Sequence, residues 1–176
     1  MGVKEEKKIL VVGADSERGE SVINDYIRDG AKLILTAKNK KTLDILKEKY
    51  GKNIAGLELF NYEETEFDTF VRKIGCIDGF VNVDDESPSE PAQLPENREL
   101  HRNLRTDFLG PAGLISTFFS KHKLNKNSGI VLVSSIDEKL RRKEGITGQD
   151  AAKAALIGYC RKLVKSTAQD ISVMCI

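Results

Sequence analysis

Short β-branched, apolar runs alternate along the chain with segments of helical length. The runs lie at 9–13, 32–36, 55–60, 77–83, 130–135 and 171–176. Strands that alternate with helices pair in parallel through right-handed crossovers. Several of the runs are apolar on both faces, as expected of strands that helices cover on two sides. The pattern therefore predicts an α/β fold, with a doubly wound parallel sheet at the centre of three α/β/α layers.

Helices are predicted between these runs from the spacing of their apolar residues. They cover 18–29, 40–50, 63–74, a long stretch through 104–119, and 149–168. Glutamates open the third helix, where their charge suits a helix N-terminus. Pro111 predicts a kink in the long helix. The segment 84–97 holds three of the four prolines and has no apolar period, which predicts a loop.

Composition limits the size and the environment of the protein. A chain of 176 residues fits one compact domain, which we place over 1–176. The 28 Lys and Arg against 27 Asp and Glu leave no net field to attract nucleic acid or an anionic membrane. Three dispersed cysteines favour a reducing compartment, and the apolar run at 9–12 is too short for a signal peptide or a membrane span. We expect a cytoplasmic protein that binds neither nucleic acid nor membrane.

A glycine-containing turn follows the first predicted strand. Gly13 and Gly19 stand at its two ends, and the turn leads directly into a predicted helix. The backbone N–H groups of such a turn can approach a pyrophosphate, whose charge is favoured at a helix N-terminus. Only two of the usual glycines are present, because Glu17 occupies the middle position. An ordinary tight turn between strand and helix is therefore the alternative.

Five segments, in the same order and spacing, resemble the short-chain dehydrogenase/reductase family. The family's TGxxxGxG turn is matched by VGADSERG, its GAxVxLTxRNxxxL stretch by GAKLILTAKNKKTL, and its IDxLVNNAG by IDGFVNVDD. Its serine-bearing strand is similar to GIVLVSSI, and the helix after its YxxxK motif to AAKAALIGYCRKLVKSTA. The resemblance implies a Rossmann fold with strand order 3-2-1-4-5-6 and a bound dinucleotide. The last segment resembles the family's sixth strand, so the resemblance implies a member shortened at its C-terminus.

The resemblance also implies where a dinucleotide would bind. The cofactor-binding positions are Gly13, Asp15, Ser16, Arg18, Gly19, Lys38, Asn61, Asn82 and Lys153. After the second strand, an acidic residue would accept hydrogen bonds from a free ribose 2′-hydroxyl, whereas a basic one would pair with a 2′-phosphate. Lys38 stands there, so NADP is favoured over NAD. For the neighbouring Lys40 and Lys41, a solvated helix face is the alternative.

Several acidic residues oppose the binding of a dinucleotide. Asp15 and Glu17 lie in the turn, and Asp84 and Asp85 replace the end of the NNAG-like stretch. Their negative charge lies around the expected phosphate and ribose sites, unless Arg18 or a metal compensates. The alternative is therefore a protein that binds no cofactor. No metal site is predicted, since the two histidines of the chain lack ligand spacing.

The catalytic residues of the family are only partly matched. Family reductases use a tyrosine as general acid, a lysine four residues later, a serine that orients the carbonyl, and an asparagine in the long helix. Ser135 matches the serine and Lys153 the lysine, whereas Gln149 replaces the tyrosine and Asp107 the asparagine. Glutamine has no titratable proton, so it cannot donate one to a developing alkoxide.

Two other residues are candidates for the general acid that Gln149 cannot supply. Tyr159 lies six residues after Lys153, which points it to another helix face. Asp150 is a conceivable acid, but a carboxylate that interacts with the helix dipole is the favoured interpretation.

Three hypotheses about function follow. The first is an NADP-linked oxidoreductase that uses Ser135 and Lys153 with an unidentified acid. The second is a catalytically silent nucleotide-binding protein, in effect a pseudoenzyme. The third is a scaffold without cofactor, which forms a homo-oligomer through the small residues Ala151, Ala154 and Gly158 of the last helix. The second and third together are favoured over the first.

Overall fold

A computed structural model describes residues 6–83, 97–134, 148–167 and 170–176. The strands are β1 (Lys8–Val12), β2 (Lys32–Ala37), β3 (Ile54–Leu59), β4 (Ile77–Asn82), β5 (Leu124–Leu132) and β6 (Ile171–Cys175). The helices are α1 (Glu17–Arg28), α2 (Lys40–Tyr50), α3 (Phe67–Ile74), α4 (Asn97–Leu104), α5 (Gly110–Ser120) and α6 (Gly148–Ser166). Short 3-10 helices cover Gly51–Asn53 and Glu64–Glu66.

The six strands form one parallel sheet in the order β3-β2-β1-β4-β5-β6. The predicted fold class and strand order are confirmed. The direction of winding reverses between β1 and β4, so the carboxyl ends of these two strands border the switch-point crevice where parallel α/β sheets bind ligands.

The alternation of side chains along β1 divides the core into two layers. Ile9 and Val11 pack on one face of the sheet, with α1 and α2. Leu10 and Val12 pack on the other face, with α3, α5 and α6. Helices thus cover both faces, which is why the central strands are apolar on both sides.

The fifth strand and the third helix begin several residues away from their predicted starts. β5 begins at Leu124, six residues before the predicted start, and the pairing of β4 with β5 is irregular between Ile77 and Gly79. Residues 125–128 of β5 are polar, so the apolar spacing does not predict a strand there. Asn127 also has a φ of 60°, which lies outside the strand region. The third helix opens as a 3-10 turn and becomes α-helical only at Phe67.

The long helix changes its hydrogen-bonding pattern just before Pro111. A π-helical turn over Arg105–Leu109 joins α4 to α5, and the Gly110 N–H donates to the Arg105 carbonyl, five residues back. Pro111 has no N–H to offer the carbonyl of Asp107, which favours a wider turn at this point. The sequence predicts a kink at Pro111, and the structure has a π turn on the N-terminal side of this proline. Residues 84–96 of the predicted loop lie outside the described residues, and Asn97 already begins α4.

Within the described ranges, no helix is both long enough and apolar enough to cross a membrane.

Candidate functional site

The turn between β1 and α1 has a closely packed backbone. Gly13 has a φ of 84°, a conformation that glycine adopts without strain. The Ser16 hydroxyl donates to the Gly13 carbonyl at 2.9 Å and accepts from the Gly19 N–H at 2.9 Å, which caps α1. A Cβ on Gly19 would lie 2.3 Å from the Gly13 carbonyl oxygen. Both glycines are therefore required for α1 to start this close to β1.

Because Gly19 has no Cβ to meet the Gly13 carbonyl and the Ala14 backbone, the first turn of α1 lies directly against the end of β1. The N-terminal amides of a helix in such a position can approach a pyrophosphate. The side chains of the turn place both negative and positive charge beside this backbone. Asp15, Glu17 and Arg18 are all exposed there, and Glu17 is the first residue of α1. The turn thus combines a suitable backbone with two carboxylates and one guanidinium.

The ends of β2 and β3 lie side by side at the carboxyl edge of the sheet. The Phe60 N–H donates to the Ala37 carbonyl at 3.1 Å, so the residues that follow, Lys38 and Asn61, belong to adjacent strand ends. Lys38 is half-buried and Asn61 is exposed. Asn39, the next residue after Lys38, caps α2 by accepting from the Thr42 N–H at 2.9 Å.

Lys40 and Lys41 are the first residues of α2, and both are exposed. This position agrees with the alternative interpretation of a solvated lysine face. Lys38 alone of the three lies before the helix, at the end of the strand.

At the end of β4, Asn82 contacts a residue that sequence reasoning missed. The Tyr62 hydroxyl donates to Asn82 Oδ1 at 3.2 Å, and both side chains are buried. The carboxamide oxygen of Asn82 is thus engaged within the protein, and its cofactor role stays a prediction. The sequence held no signal for this contact, since Tyr62 stands 20 residues away, in a stretch without apolar period.

Asp107 lies in the π turn and is only 4% exposed. Its Oδ1 accepts from the Thr106 hydroxyl at 2.9 Å. The charged form of a buried carboxylate is costly unless the surrounding protein stabilises it. Asp107 thus lies buried at the point where the long helix is irregular, and its correspondence to the family's asparagine stays a prediction.

Lys153 projects from α6 into the protein and is 3% exposed. The Ser134 hydroxyl, at the end of β5, donates to the Lys153 carbonyl at 3.2 Å. Gln149 is half-buried in the first turn of α6, four residues before Lys153. Ser135, the predicted catalytic serine, lies outside the described residues, directly after Ser134.

All four tyrosines of the chain lie among the described residues. The Tyr159 hydroxyl donates to the Ala112 carbonyl of α5 at 3.3 Å, and the Tyr62 hydroxyl donates to Asn82. Tyr26 and Tyr50 pack on the opposite face of the sheet, with α1 and α2. The Tyr159 phenol is thus engaged by α5.

Cys160 of α6 and Cys175 of β6 interact beside the same end of β5. Burial, with a smaller contribution from Cys175, raises the pKa of Cys160 from 9.0 to about 11. Burial also raises the pKa of Cys175, although hydrogen bonds to Cys160 and Ser134 act in the opposite direction. Both thiols therefore favour the neutral form and help to pack α6 on β6. Within the part of the chain that is described, acidic and thiol or imidazole side chains form no group of three that could hold a metal ion.

Comparison with known proteins agrees with this fold. The family model for short chain dehydrogenase matches residues 7–176. A curated relative, the 11-beta-hydroxysteroid dehydrogenase-like 2 of Arabidopsis thaliana, is 24% identical over 184 residues, which are 95% of this chain and 56% of the relative. The chain thus spans a little over half the length of that relative.

Solved structures share the fold at lower identity. BdcA in complex with NADPH is 19% identical with a TM-score of 0.81, and the match covers 96% of this chain and 68% of BdcA. A short-chain dehydrogenase/reductase from Burkholderia multivorans with bound NADP is 17% identical, with a TM-score of 0.79 and a coverage of 96% and 77%. A glucose/ribitol dehydrogenase-type member from Brucella melitensis is 20% identical, with a TM-score of 0.82 and a coverage of 99% and 76%. Since the family model matches nearly the whole chain, this protein belongs to the short-chain dehydrogenase family.

Proposed function

We propose that this chain is an NAD(P)-binding family member in which carbonyl reduction is impaired or absent. The observation that carries the proposal is Gln149, which occupies the first turn of α6 four residues before the buried Lys153. Two of the four tyrosine hydroxyls donate within the fold, from Tyr62 to Asn82 and from Tyr159 to α5, and the other two tyrosines pack on the opposite face of the sheet.

We propose that the dinucleotide lies along the carboxyl edge of the sheet. The amides at the start of α1, between Gly13 and Gly19, would receive the pyrophosphate. Lys38 and Asn61, at the ends of adjacent strands, would face the adenosine half. Lys153, on α6, would face the ribose of the nicotinamide half. Ser16 supports the turn through its two hydrogen bonds and holds the first turn of α1 in place.

NADP is proposed over NAD because of charge at Lys38. An ammonium group at the end of β2 would pair with a 2′-phosphate, and no carboxylate stands at that position to accept from a free 2′-hydroxyl. Two solved relatives hold NADPH or NADP, which is in keeping with this preference.

The step that we expect to be impaired is proton transfer to the carbonyl oxygen, not the positioning of the carbonyl. When bound, the nicotinamide supplies or accepts a hydride. Gln149 can donate an amide hydrogen bond to a carbonyl oxygen, but its amide has no proton to transfer at neutral pH. Loss of a positioned acid typically removes a factor of about 10²–10⁴ in rate. We therefore expect binding without efficient reduction.

The test measures binding and turnover separately. Thermal unfolding is followed without ligand, with NADPH and with NADH, because a ligand that binds only the folded state raises the melting temperature. Oxidation of NADPH is then followed over a panel of aldehydes and ketones. A rise in melting temperature that is larger with NADPH, without turnover, is the expected result. Rapid turnover would contradict the impaired reaction, and no rise at saturating ligand would contradict dinucleotide binding.

A second candidate is a non-catalytic scaffold that acts through α6. Ala151, Ala154 and Gly158 are exposed on this helix, and a Cβ on Gly158 would meet only open space. Small exposed residues at three- and four-residue steps allow a second helix to approach closely. This candidate predicts a homo-oligomer whose assembly does not depend on a dinucleotide.

A further inference from the structure

Tyr62 combines a strained backbone with complete burial. Its φ of 60° lies in the left-handed region, which is unusual for a bulky side chain. The residue is 1% exposed, and its ring is edge-on to Phe60 with centroids 4.9 Å apart. Such a conformation persists only where the surrounding structure imposes it, and it is often found at functional sites.

The hydroxyl of Tyr62 joins two strand ends that are far apart in the sheet. It donates to Asn82 Oδ1 at the end of β4, whereas Tyr62 itself follows β3. β2 and β1 lie between these two strands. The bond therefore ties the segment after β3 to the switch point between β1 and β4, where ligands bind in parallel α/β sheets.

Gly110 completes the contact from the helix side. A Cβ on Gly110 would lie 2.0 Å from Cδ1 of Tyr62, so only glycine leaves room for the ring. The position of Gly110 is itself set by the π turn, through its N–H bond to the Arg105 carbonyl. The Tyr62 ring is thus fixed by β3, by β4 and by the start of α5.

We propose that Tyr62 is a positioning residue that holds Asn61 toward the adenine end of a dinucleotide. Asn61 immediately precedes it, is exposed, and lies beside the end of β2 that carries Lys38. Because the two residues share a peptide bond, the left-handed turn at Tyr62 sets the direction of the Asn61 main chain. The hydrogen bond to Asn82 holds that turn against relaxation. This role rests on the dinucleotide binding proposed above.

The test compares the Tyr62→Phe variant with the matched Tyr159→Phe variant. Each substitution removes one hydroxyl that donates a hydrogen bond, to Asn82 Oδ1 in the first case and to the Ala112 carbonyl in the second. Calorimetry gives the dissociation constants for NADPH and for adenosine 2′,5′-bisphosphate, which is the adenine half alone. Tyr62→Phe should weaken both ligands by the same factor, about fivefold or more, and Tyr159→Phe should change neither by more than about twofold.

A second measurement does not depend on any ligand. Amide hydrogen exchange in the free Tyr62→Phe variant should be faster over 60–63, and it should be unchanged there in Tyr159→Phe. A Gly110→Ala variant, which crowds the ring from the helix side, should weaken adenosine 2′,5′-bisphosphate in the same way.

The outcomes separate this role from the proposed function. If the wild-type protein binds both ligands and Tyr62→Phe binds them equally well, the role of Tyr62 is overturned and dinucleotide binding stands. If Tyr62→Phe weakens NADPH but not the bisphosphate, a role at the adenine end is also overturned. If the wild-type protein binds neither ligand, dinucleotide binding itself fails, and this role fails with it.

Discussion

Gln149 differs from the expected tyrosine in one property that matters for reduction, a transferable proton. We predict that Gln149→Tyr creates or raises carbonyl reduction by about 10²–10⁴ over the wild-type rate, provided the pocket is otherwise intact. The check is NADPH oxidation over a panel of carbonyl compounds. Gln149→Phe is the matched control, because it adds the ring without the hydroxyl. Equal rates in the three proteins would contradict the assignment of position 149.

Glu17 places a carboxylate on the first residue of α1, where a pyrophosphate would lie. We predict that Glu17→Gly lowers the dissociation constant for NADPH several-fold, since the repulsion between two like charges about 4 Å apart in water is about 1 kcal/mol. The same change removes a favourable charge from the helix N-terminus, so it should slightly lower the free energy of unfolding.

Binding and stability thus change in opposite directions at Glu17, which a general loosening of the turn would not produce. Asp25→Asn is the control, since it removes a charge two turns further along α1. A Glu17→Gly variant that binds NADPH no better than this control would count against a phosphate site at the turn.

At the scale of elements, α6 is held against β6 partly by the buried thiol of Cys160. Its pKa of about 11 exceeds the ordinary 9.0, so the folded protein holds this proton more tightly than the unfolded chain. The stabilisation is complete below about pH 9 and is lost as the pH rises toward 11. We predict that the stability advantage of wild type over Cys160→Ala, from urea unfolding, shrinks across this pH range.

The exposed Cys76 supplies the matched control, since Cys76→Ala should give the same pH profile as wild type. Thiol labelling at pH 8 should accordingly modify Cys76 well before Cys160, whose thiol is buried and neutral. A constant difference between wild type and Cys160→Ala from pH 8 to 11 would contradict the raised pKa.

At the scale of the whole molecule, the exposed small residues of α6 predict self-association. We expect light scattering to give the mass of a homo-oligomer, and we expect Ala154→Arg to shift it toward the monomer of 19.6 kDa. Ala55→Arg is the control, because Ala55 is also exposed but lies on β3 at the far edge of the sheet. A monomeric wild-type protein would end the proposal of an α6 interface.

The tight turn after β1 could be predicted because its geometry is local. The need for glycine at Gly13 and Gly19 is set by residues within one turn, and the structure has the tight backbone that this spacing predicts. The start of β5 could not be predicted in this way, because residues 125–128 are polar and Leu124 joins the strand by pairing with Ile77 of β4.

The sequence by itself determined the alternation of strands and helices, the strand order through its family resemblance, and the absence of a tyrosine four residues before Lys153. Only the tertiary structure decided that Lys153 is buried, that the long helix contains a π turn, and that Tyr62 reaches Asn82. The reason is the range of the interactions. Periodicity and turn chemistry act over a few neighbouring residues, whereas a contact between β3 and β4 exists only after the crossovers have placed two other strands between them.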